Sequence, residues 1–390
     1  LRISKQDSKN AMITKAEFDS LKLSALRLSK TQRILNKSLI QSVKKIPNVS
    51  FVPIPSVGCY IPGGQARYPS SAIMSVITAA EAGVKRIVVV SPPNSDGNID
   101  PMTITVAQNC GAEIYKVGGA QAIAALAYGT KSIPKVDKIV GPGNAFVAAA
   151  KRQVFGQVGI DSIAGPSEIL VVADAQNDPN WIAADLLSQA EHDEAAQSIL
   201  ITDDVDFADA VEAAVQAMLP QLERTAVAGQ SWADNGAIIT VPSMNEMPAL
   251  ANRIAAEHLE LALDDAAGWS GKIRHAGAMF LGRYTPEAIG DYIAGPNHVL
   301  PTARTARFSS GLGVADFMKR TTIVACDADG FSAIGFSQGN NVIRGYINGD
   351  AVPNEGGWLA TGDVGEWMPN GTLRIIDRKR DLIRLNNGTM

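Results

Sequence analysis

The sequence has few cysteines, few aromatic side chains and no long apolar run. Its three cysteines, Cys59, Cys110 and Cys326, are far apart and form no metal-type pair, so we expect reduced thiols. No apolar run approaches the roughly 18 residues that a membrane span requires. The formal net charge is only −4, which favours neither nucleic acid nor an acidic membrane as a partner. The first residues do not form a signal-peptide pattern, and we expect a soluble, cytoplasmic protein.

Short apolar segments alternate with Ala-rich helical segments through the middle of the chain. Residues 1–50 are predicted to be helical, and the alternation begins at Phe51. The predicted strands are Ile87–Val90, Glu113–Val117, Lys138–Val140, Ile169–Val172, Ser198–Thr202, Ala237–Val241 and Gly277–Leu281. Strands separated by helices are typical of parallel sheets that are covered on both faces. Two open α/β sheets in succession are the simplest interpretation.

The composition changes after about Gly335. Glycine, asparagine and tryptophan become more frequent, and Ala-rich helices stop. The segment 365–376 predicts a β-hairpin whose turn is Asn370-Gly371. We therefore expect a β-rich segment at this end of the sequence.

Three groups of polar residues are candidates for chemistry. Gln189 and His192 are three positions apart on a predicted helix and could share a metal, although such a pair more often lies on a surface or in a core. Glu257-His258 follows an amphipathic helix and suits acid–base work, or is simply a helix-end histidine beside a solvated glutamate. The loop from Gly290 to His298 carries Asp291 and is a candidate site loop or an ordinary turn.

Two glycine-containing turns each follow a predicted strand and open a helix. They are Gly118-Gly119-Ala120-Gln121 and Gly141-Pro142-Gly143-Asn144. Helix N-termini at such turns can hold phosphate. Neither turn matches the dinucleotide fingerprint G-x-G-x-x-G, and tight strand-to-helix turns would also explain both.

Together, these residues resemble the histidinol dehydrogenase family. The matching segments agree in order and spacing from about residue 1 to Gly335. They are Tyr60-Ile61-Pro62-Gly63-Gly64, 118–122, 138–144, Ile163-Ala164-Gly165-Pro166-Ser167-Glu168, 187–192, 256–260, 290–292, 297–302 and 309–314.

The resemblance implies an enzyme of histidine biosynthesis that oxidises L-histidinol to L-histidine through the aldehyde. It implies two hydride transfers to NAD, a bound zinc ion and a homodimer. The residues that match zinc ligands are Gln189, His192 and Asp291. Those that match the catalytic pair are Glu257 and His258, and those that match NAD contacts are Tyr60, Gln121 and Asn144. The matched substrate contacts are Ser167, Gln189, His192, His258, Asp291 and His298.

The resemblance also implies two Rossmann-like open-sheet α/β domains, one inserted in the other. We expect residues 1–59 with 169–320 to form the first domain and residues 60–168 to form the second, on the NAD side. Residues 321–335 would be a seam.

The last part of the sequence departs from this family. No histidine follows His298, whereas the family has a late histidine that completes the zinc shell. Residues 336–390 instead resemble a fragment of the adenylate-forming acyl-CoA synthetases, in which Asp363 and Arg378 would hold a ribose. That family's phosphate loop is absent from the sequence, so we expect no ATP binding. A non-catalytic chimera that binds NAD or substrate, or a related alcohol dehydrogenase, remains an alternative.

Overall fold

The computed structural model describes residues 49–63, 69–290 and 294–323, and the backbone of four short strands between 336 and 378. The chain divides into two compact units, residues 1–321 and residues 322–390. Residues 1–48 of the helical segment predicted over residues 1–50 lie outside the described residues. The first described element is instead a strand, β1 (Val49–Pro53), which pairs with β12 (Met318–Thr322). No helix in these described ranges is long and apolar enough to cross a membrane.

The first sheet has five parallel strands in the order β4-β3-β2-β5-β6. The strands are β2 (Ser56–Tyr60), β3 (Arg86–Ser91), β4 (Glu113–Lys116), β5 (Lys138–Val140) and β6 (Gly159–Ile160). Four helices connect these strands. The first, α1, is continuous through Pro69–Ala72, the π-helical Ile73–Ile77 and Thr78–Glu81. The others are α2 (Pro101–Asn109), α3 (Gly119–Tyr128) and α4 (Ala145–Val154).

Both faces of this sheet are covered, which is why apolar side chains of its strands point to both sides. Helices α1 and α2 pack on one face, against side chains such as Val57 and Val89. Helices α3 and α4 pack on the other face, against Val88 and Val90. Neighbouring residues of β3 thus face opposite cores, as a doubly covered parallel strand requires.

The second sheet repeats this arrangement in the order β11-β10-β7-β8-β9. Its strands are β7 (Glu168–Ala173), β8 (Gln197–Thr202), β9 (Ala237–Thr240), β10 (His258–Ala262) and β11 (Ala278–Leu281). Its helices are α5 (Pro179–Ala190), α6 (Val205–Met218), α7 (Thr225–Asn235), α8 (Met247–Ile254) and α9 (Ala266–Ser270). Helices α5 to α7 cover one face, and α8 and α9 cover the other.

In both sheets the first strand along the chain is central and the order reverses beside it, as in Rossmann-like sheets. The predicted fold class, two Rossmann-like α/β sheets with a β-rich end, is confirmed.

In the second unit, β13 (Phe336–Ser337) pairs antiparallel with β14 (Leu359–Ala360). The predicted hairpin is also confirmed: β15 (Asp363–Trp367) pairs antiparallel with β16 (Leu373–Arg378).

The predicted domain bounds stay a prediction, although the structure gives two relevant details. Strand β2 begins at Ser56 and belongs to the first sheet, so a boundary between residues 59 and 60 would cut this strand. Leu312, Val314 and Phe317 pack into the core of the first sheet, although they fall within the range 169–320.

Two acidic side chains, one buried and one half-buried, lie between the second sheet and α5. Glu260 of β10 is 2% exposed, and the carboxyl group of Asp185 of α5 lies near it. Among the described residues, Glu260 Oε2 has no hydrogen-bond partner. Burial, then the nearby Asp185 and Glu287, raises the pKa of Glu260 to about 9. Burial also raises the pKa of Asp185, to about 6.

This pair predicts a stability that falls as the pH rises. A carboxyl with a folded-state pKa above its unfolded value keeps a proton that the unfolded chain releases. The free energy of unfolding therefore falls as the pH rises from about 4.5 to about 9. The substitution Glu260→Gln keeps a hydrogen-bonding group without a charge. We expect it to raise the Tm by about 3 °C or more at about pH 8, and by clearly less at about pH 5. Thermal melts at both pH values, with the exposed Glu212→Gln as control, measure this, and an equal shift at both would contradict it.

Candidate functional site

Tyr60 and two glycine turns meet at the carboxyl edge of the first sheet. Tyr60 is the last residue of β2, is buried, and its hydroxyl oxygen accepts the N–H of Gly119 at 3.0 Å. Burial raises the pKa of Tyr60, and the hydrogen bond from Gly119 opposes this shift. The side chain therefore stays a neutral phenol that fixes the turn before α3.

The second turn requires glycine at its first position. Gly141 has a φ of 108°, and a Cβ there would lie 2.1 Å from the carbonyl oxygen of Tyr60. The turn from β5 into α4 thus passes directly against the end of β2. Glycine is therefore required at this position so that the turn can pack against the backbone of β2.

Two predicted NAD contacts lie at the helix N-termini on this edge. Asn144 is the N-cap of α4 and accepts the N–H of Val147 at 3.1 Å. Gln121 lies in the first turn of α3, and both side chains are exposed. The strand order reverses between β2 and β5, which is where open α/β sheets bind ligands. Helix N-termini with glycine turns at this point suit the phosphates of a dinucleotide.

The predicted catalytic pair lies at the amino edge of the second sheet. His258 is the first residue of β10, Glu257 precedes it, and both are buried. As expected, the pair follows the end of a helix, and His258 begins a strand. Helix α8 ends at Ile254, and Ala255 adopts a left-handed φ of 55° that turns the chain into β10.

Glu168, the first residue of β7, holds this pair through both its backbone and its carboxylate. The Glu168 N–H donates to Glu257 Oε2 at 3.1 Å, and the Glu257 N–H donates to Glu168 Oε2 at 3.3 Å. The Glu168 carbonyl lies 3.1 Å from His258 Nδ1. A carbonyl oxygen can only accept, so this contact places a proton on Nδ1.

The Glu168 carboxyl also accepts a hydrogen bond from a residue outside this pair. Its Oε1 accepts the N–H of Ala303 at 3.0 Å. Burial raises the pKa of Glu168, while its backbone hydrogen bonds and the nearby Arg304 lower it.

Glu287 is a further site residue that the sequence reasoning missed. It is 9% exposed, and its Oε1 lies 3.6 Å from His258 Nε2. Glu257 Oε2 lies 3.9 Å from His258 Nδ1, so carboxylates face both ring nitrogens. Glu287 is 29 residues beyond His258, and no local pattern marks it; only the fold brings the two together.

The remaining predicted residues are placed less closely. Ser167 directly precedes β7, and its carbonyl accepts the N–H of Gln197 at 3.0 Å. Gln189 is buried near the end of α5, which returns to the amino edge of the sheet. His192 is exposed and lies beyond the helix, so it was wrong to place it on the same helical turn; its N–H donates to Gln189 O at 3.1 Å. Asp291 lies outside the described residues.

His298 is half-buried in a loop that is anchored to the first sheet. Its neighbour Asn297 donates from Nδ2 to the Met74 carbonyl of α1 at 3.0 Å. The prediction that the catalytic, metal and substrate residues share one cleft stays a prediction.

The described residues alone do not make a zinc site. Within them, no group of three or more His, Cys, Asp or Glu side chains could hold a metal ion. Of the three predicted ligands, the structure describes Gln189 and His192, and only His192 is a strong donor to zinc.

Comparisons with known proteins identify the family. The histidinol dehydrogenase family model matches residues 1–338. Histidinol dehydrogenase from Rhodospirillum rubrum is 58% identical over 334 residues, which cover 84% of this chain and 77% of that protein. The enzyme from Ruegeria pomeroyi is 62% identical over 72% of this chain, and the matched part is 65% of its own length. The crystal structure of histidinol dehydrogenase from Elizabethkingia anophelis has a TM-score of 0.78 at 36% identity, covering 86% of this chain and 79% of that one. The chain therefore belongs to the histidinol dehydrogenase family.

Proposed function

We propose that this chain oxidises L-histidinol to L-histidine, through the aldehyde, with two hydride transfers to NAD. Family membership supports the reaction. The observation that carries the proposal is the buried Glu257-His258 pair. Hydrogen bonds with Glu168 hold this pair at the edge of the second sheet. A fixed imidazole beside a fixed carboxylate is suited to proton transfers near neutral pH.

His258 is the proposed general base of the alcohol oxidation. With its Nδ1 proton donated to the Glu168 carbonyl, the neutral ring accepts at Nε2. Nε2 takes the hydroxyl proton of the substrate as the hydride leaves the carbon. Glu287, 3.6 Å away, then stabilises the imidazolium that forms.

Glu257 is the proposed base for the second half of the reaction. It removes a proton from water as the water oxygen adds to the aldehyde carbon, which gives the anion of the hydrated aldehyde. Loss of a second hydride and a hydroxyl proton from this species leaves the carboxylate of histidine. The Glu168 N–H holds one oxygen of the Glu257 carboxylate, which fixes the direction from which it approaches water.

NAD supplies the hydride acceptor in both steps. Tyr60, Gln121 and Asn144 are the proposed contacts for it, because they surround the turns at the reversal point of the first sheet. The protein's part is to bind and orient the dinucleotide there.

Substrate binding is proposed for Ser167, Gln189, His192, His258, Asp291 and His298. We also propose that Gln189, His192 and Asp291 hold a zinc ion, which would serve to orient the substrate. A homodimer and a cytoplasmic location belong to the same proposal. The resemblance of residues 336–390 to acyl-CoA synthetases stays a prediction: the family match ends at residue 338, and no comparison supports this part.

The substitution His258→Gln tests the general base. We expect kcat to fall by about 10²- to 10⁴-fold, the usual contribution of a positioned acid–base group, while the Kd for NAD stays the same. Steady-state kinetics and calorimetric NAD titration measure the two quantities. The matched control is His275→Gln, which changes a half-buried histidine outside the site. A kcat close to that of the wild type would contradict the assignment and favour another base.

The substitution Glu287→Gln tests the partner of the imidazolium. It removes a negative charge near His258 Nε2 with little change of shape, so we expect kcat to fall about tenfold, or roughly 1.4 kcal/mol. The KM for NAD should not change. The control is Glu246→Gln, at an exposed glutamate before α8. Unchanged kcat would show that Glu287 does not act through His258.

Zinc dependence is tested by chelation. Because Gln189 is a weak, neutral donor, we expect a chelator to remove the metal readily, turnover to fall with it, and added zinc to restore turnover. Metal analysis of His192→Ala should find no bound zinc, whereas His275→Ala should bind it like the wild type. Full turnover by metal-free protein would contradict the zinc proposal.

A further inference from the structure

A buried ion pair lies directly behind the second glycine turn. Lys151 of α4 pairs with Asp161, which follows β6, and their side chains are 2% and 6% exposed. A lysine so deeply buried is unusual unless its charge is compensated. Here the aspartate supplies that compensation.

Both members of the pair also hold the backbone of Gly141. Lys151 Nζ donates to the Gly141 carbonyl at 3.0 Å, and the Gly141 N–H donates to Asp161 Oδ2 at 2.7 Å. The carbonyl and the N–H of one residue are thus fixed from two directions. Gly141 is also in close contact with the carbonyl of Tyr60, so it has little freedom to move.

We call the Lys151–Asp161 pair, with its two hydrogen bonds to Gly141, the clamp. Its position indicates a role beyond stabilising the fold. A buried ion pair is often no more stabilising than apolar side chains of the same volume, so burial alone does not explain it. Gly141 begins the turn 141–144, which ends at the N-cap of α4, at the point where the strand order reverses. The orientation of its peptide group sets where the next N–H groups point.

We propose that Lys151 and Asp161 are positioning residues for the dinucleotide, which they serve by fixing the Gly141 turn in the shape that receives the pyrophosphate. The inference rests on the proposed NAD site. Lys151 is already engaged by Asp161 and by the Gly141 carbonyl, so it acts through the turn and not by touching the phosphate. It adds two residues that the family resemblance did not mark.

The test measures NAD binding by calorimetric titration without histidinol, and then measures turnover in a separate assay with histidinol. In Lys151→Met and Asp161→Asn, we expect the Kd for NAD to rise about tenfold or more, with kcat at saturating NAD within about twofold of the wild type. The KM for histidinol should not change. Asp161→Asn keeps an oxygen that can accept the Gly141 N–H, so it carries the test if Lys151→Met does not fold.

The matched control is Lys138→Met. Lys138 is on β5, three residues before Gly141, and its Nζ donates to the Asp316 carbonyl at 2.6 Å. Its loss should lower the Tm without changing the Kd for NAD. The double variant Lys151→Met with Asp161→Asn should weaken NAD binding by less than the product of the two single effects, because the pair acts as a unit.

The outcomes separate this inference from the proposed function. Weakened NAD binding in a chain that does not oxidise histidinol would support the clamp and contradict the activity. Unchanged NAD affinity in folded variants that still turn over histidinol would overturn the clamp and leave the activity in place. A loss of kcat equal to the rise in Kd would also overturn it, since that result points to general destabilisation.

Discussion

The pairing of β7 with β10 is the constraint on which the rest of the site depends. His258 lies in register with Ile169, so the residues just before them, Glu257 and Glu168, meet at the same edge of the sheet. The backbone N–H of each of these two residues donates to the other residue's carboxylate. The same hydrogen bonds that satisfy the strand ends therefore also orient the proposed catalytic groups.

On this proposal, the two sheets of the protein use opposite edges for different tasks. At the carboxyl edge of the first sheet, helices begin, and their N-termini suit an anionic dinucleotide. At the amino edge of the second sheet, strands begin, and short loops bring charged side chains into buried positions. The same strand order in both sheets thus gives one edge suited to phosphate and one edge suited to proton transfer.

The features that were predicted correctly from the sequence are those that a local pattern controls. Apolar runs such as Ile87–Val90 gave the strands, and the motif segments marked Glu257, His258 and Asn144. It did not predict that His258 begins a strand, because the left-handed turn at an alanine has no local signature. Glu287 and the Lys151–Asp161 pair were also missed, since their partners are set by tertiary packing across 10 to 29 residues.

The most direct test of the account is the stoichiometry of one complete reaction. With limiting histidinol and excess NAD, the NADH formed and the amino-acid product are measured together on the wild-type chain. The arrangement of a base at His258 and a water-activating carboxylate at Glu257 predicts two NADH and one histidine per histidinol consumed. One NADH with release of the aldehyde, or no histidinol-dependent NADH at all, would contradict it.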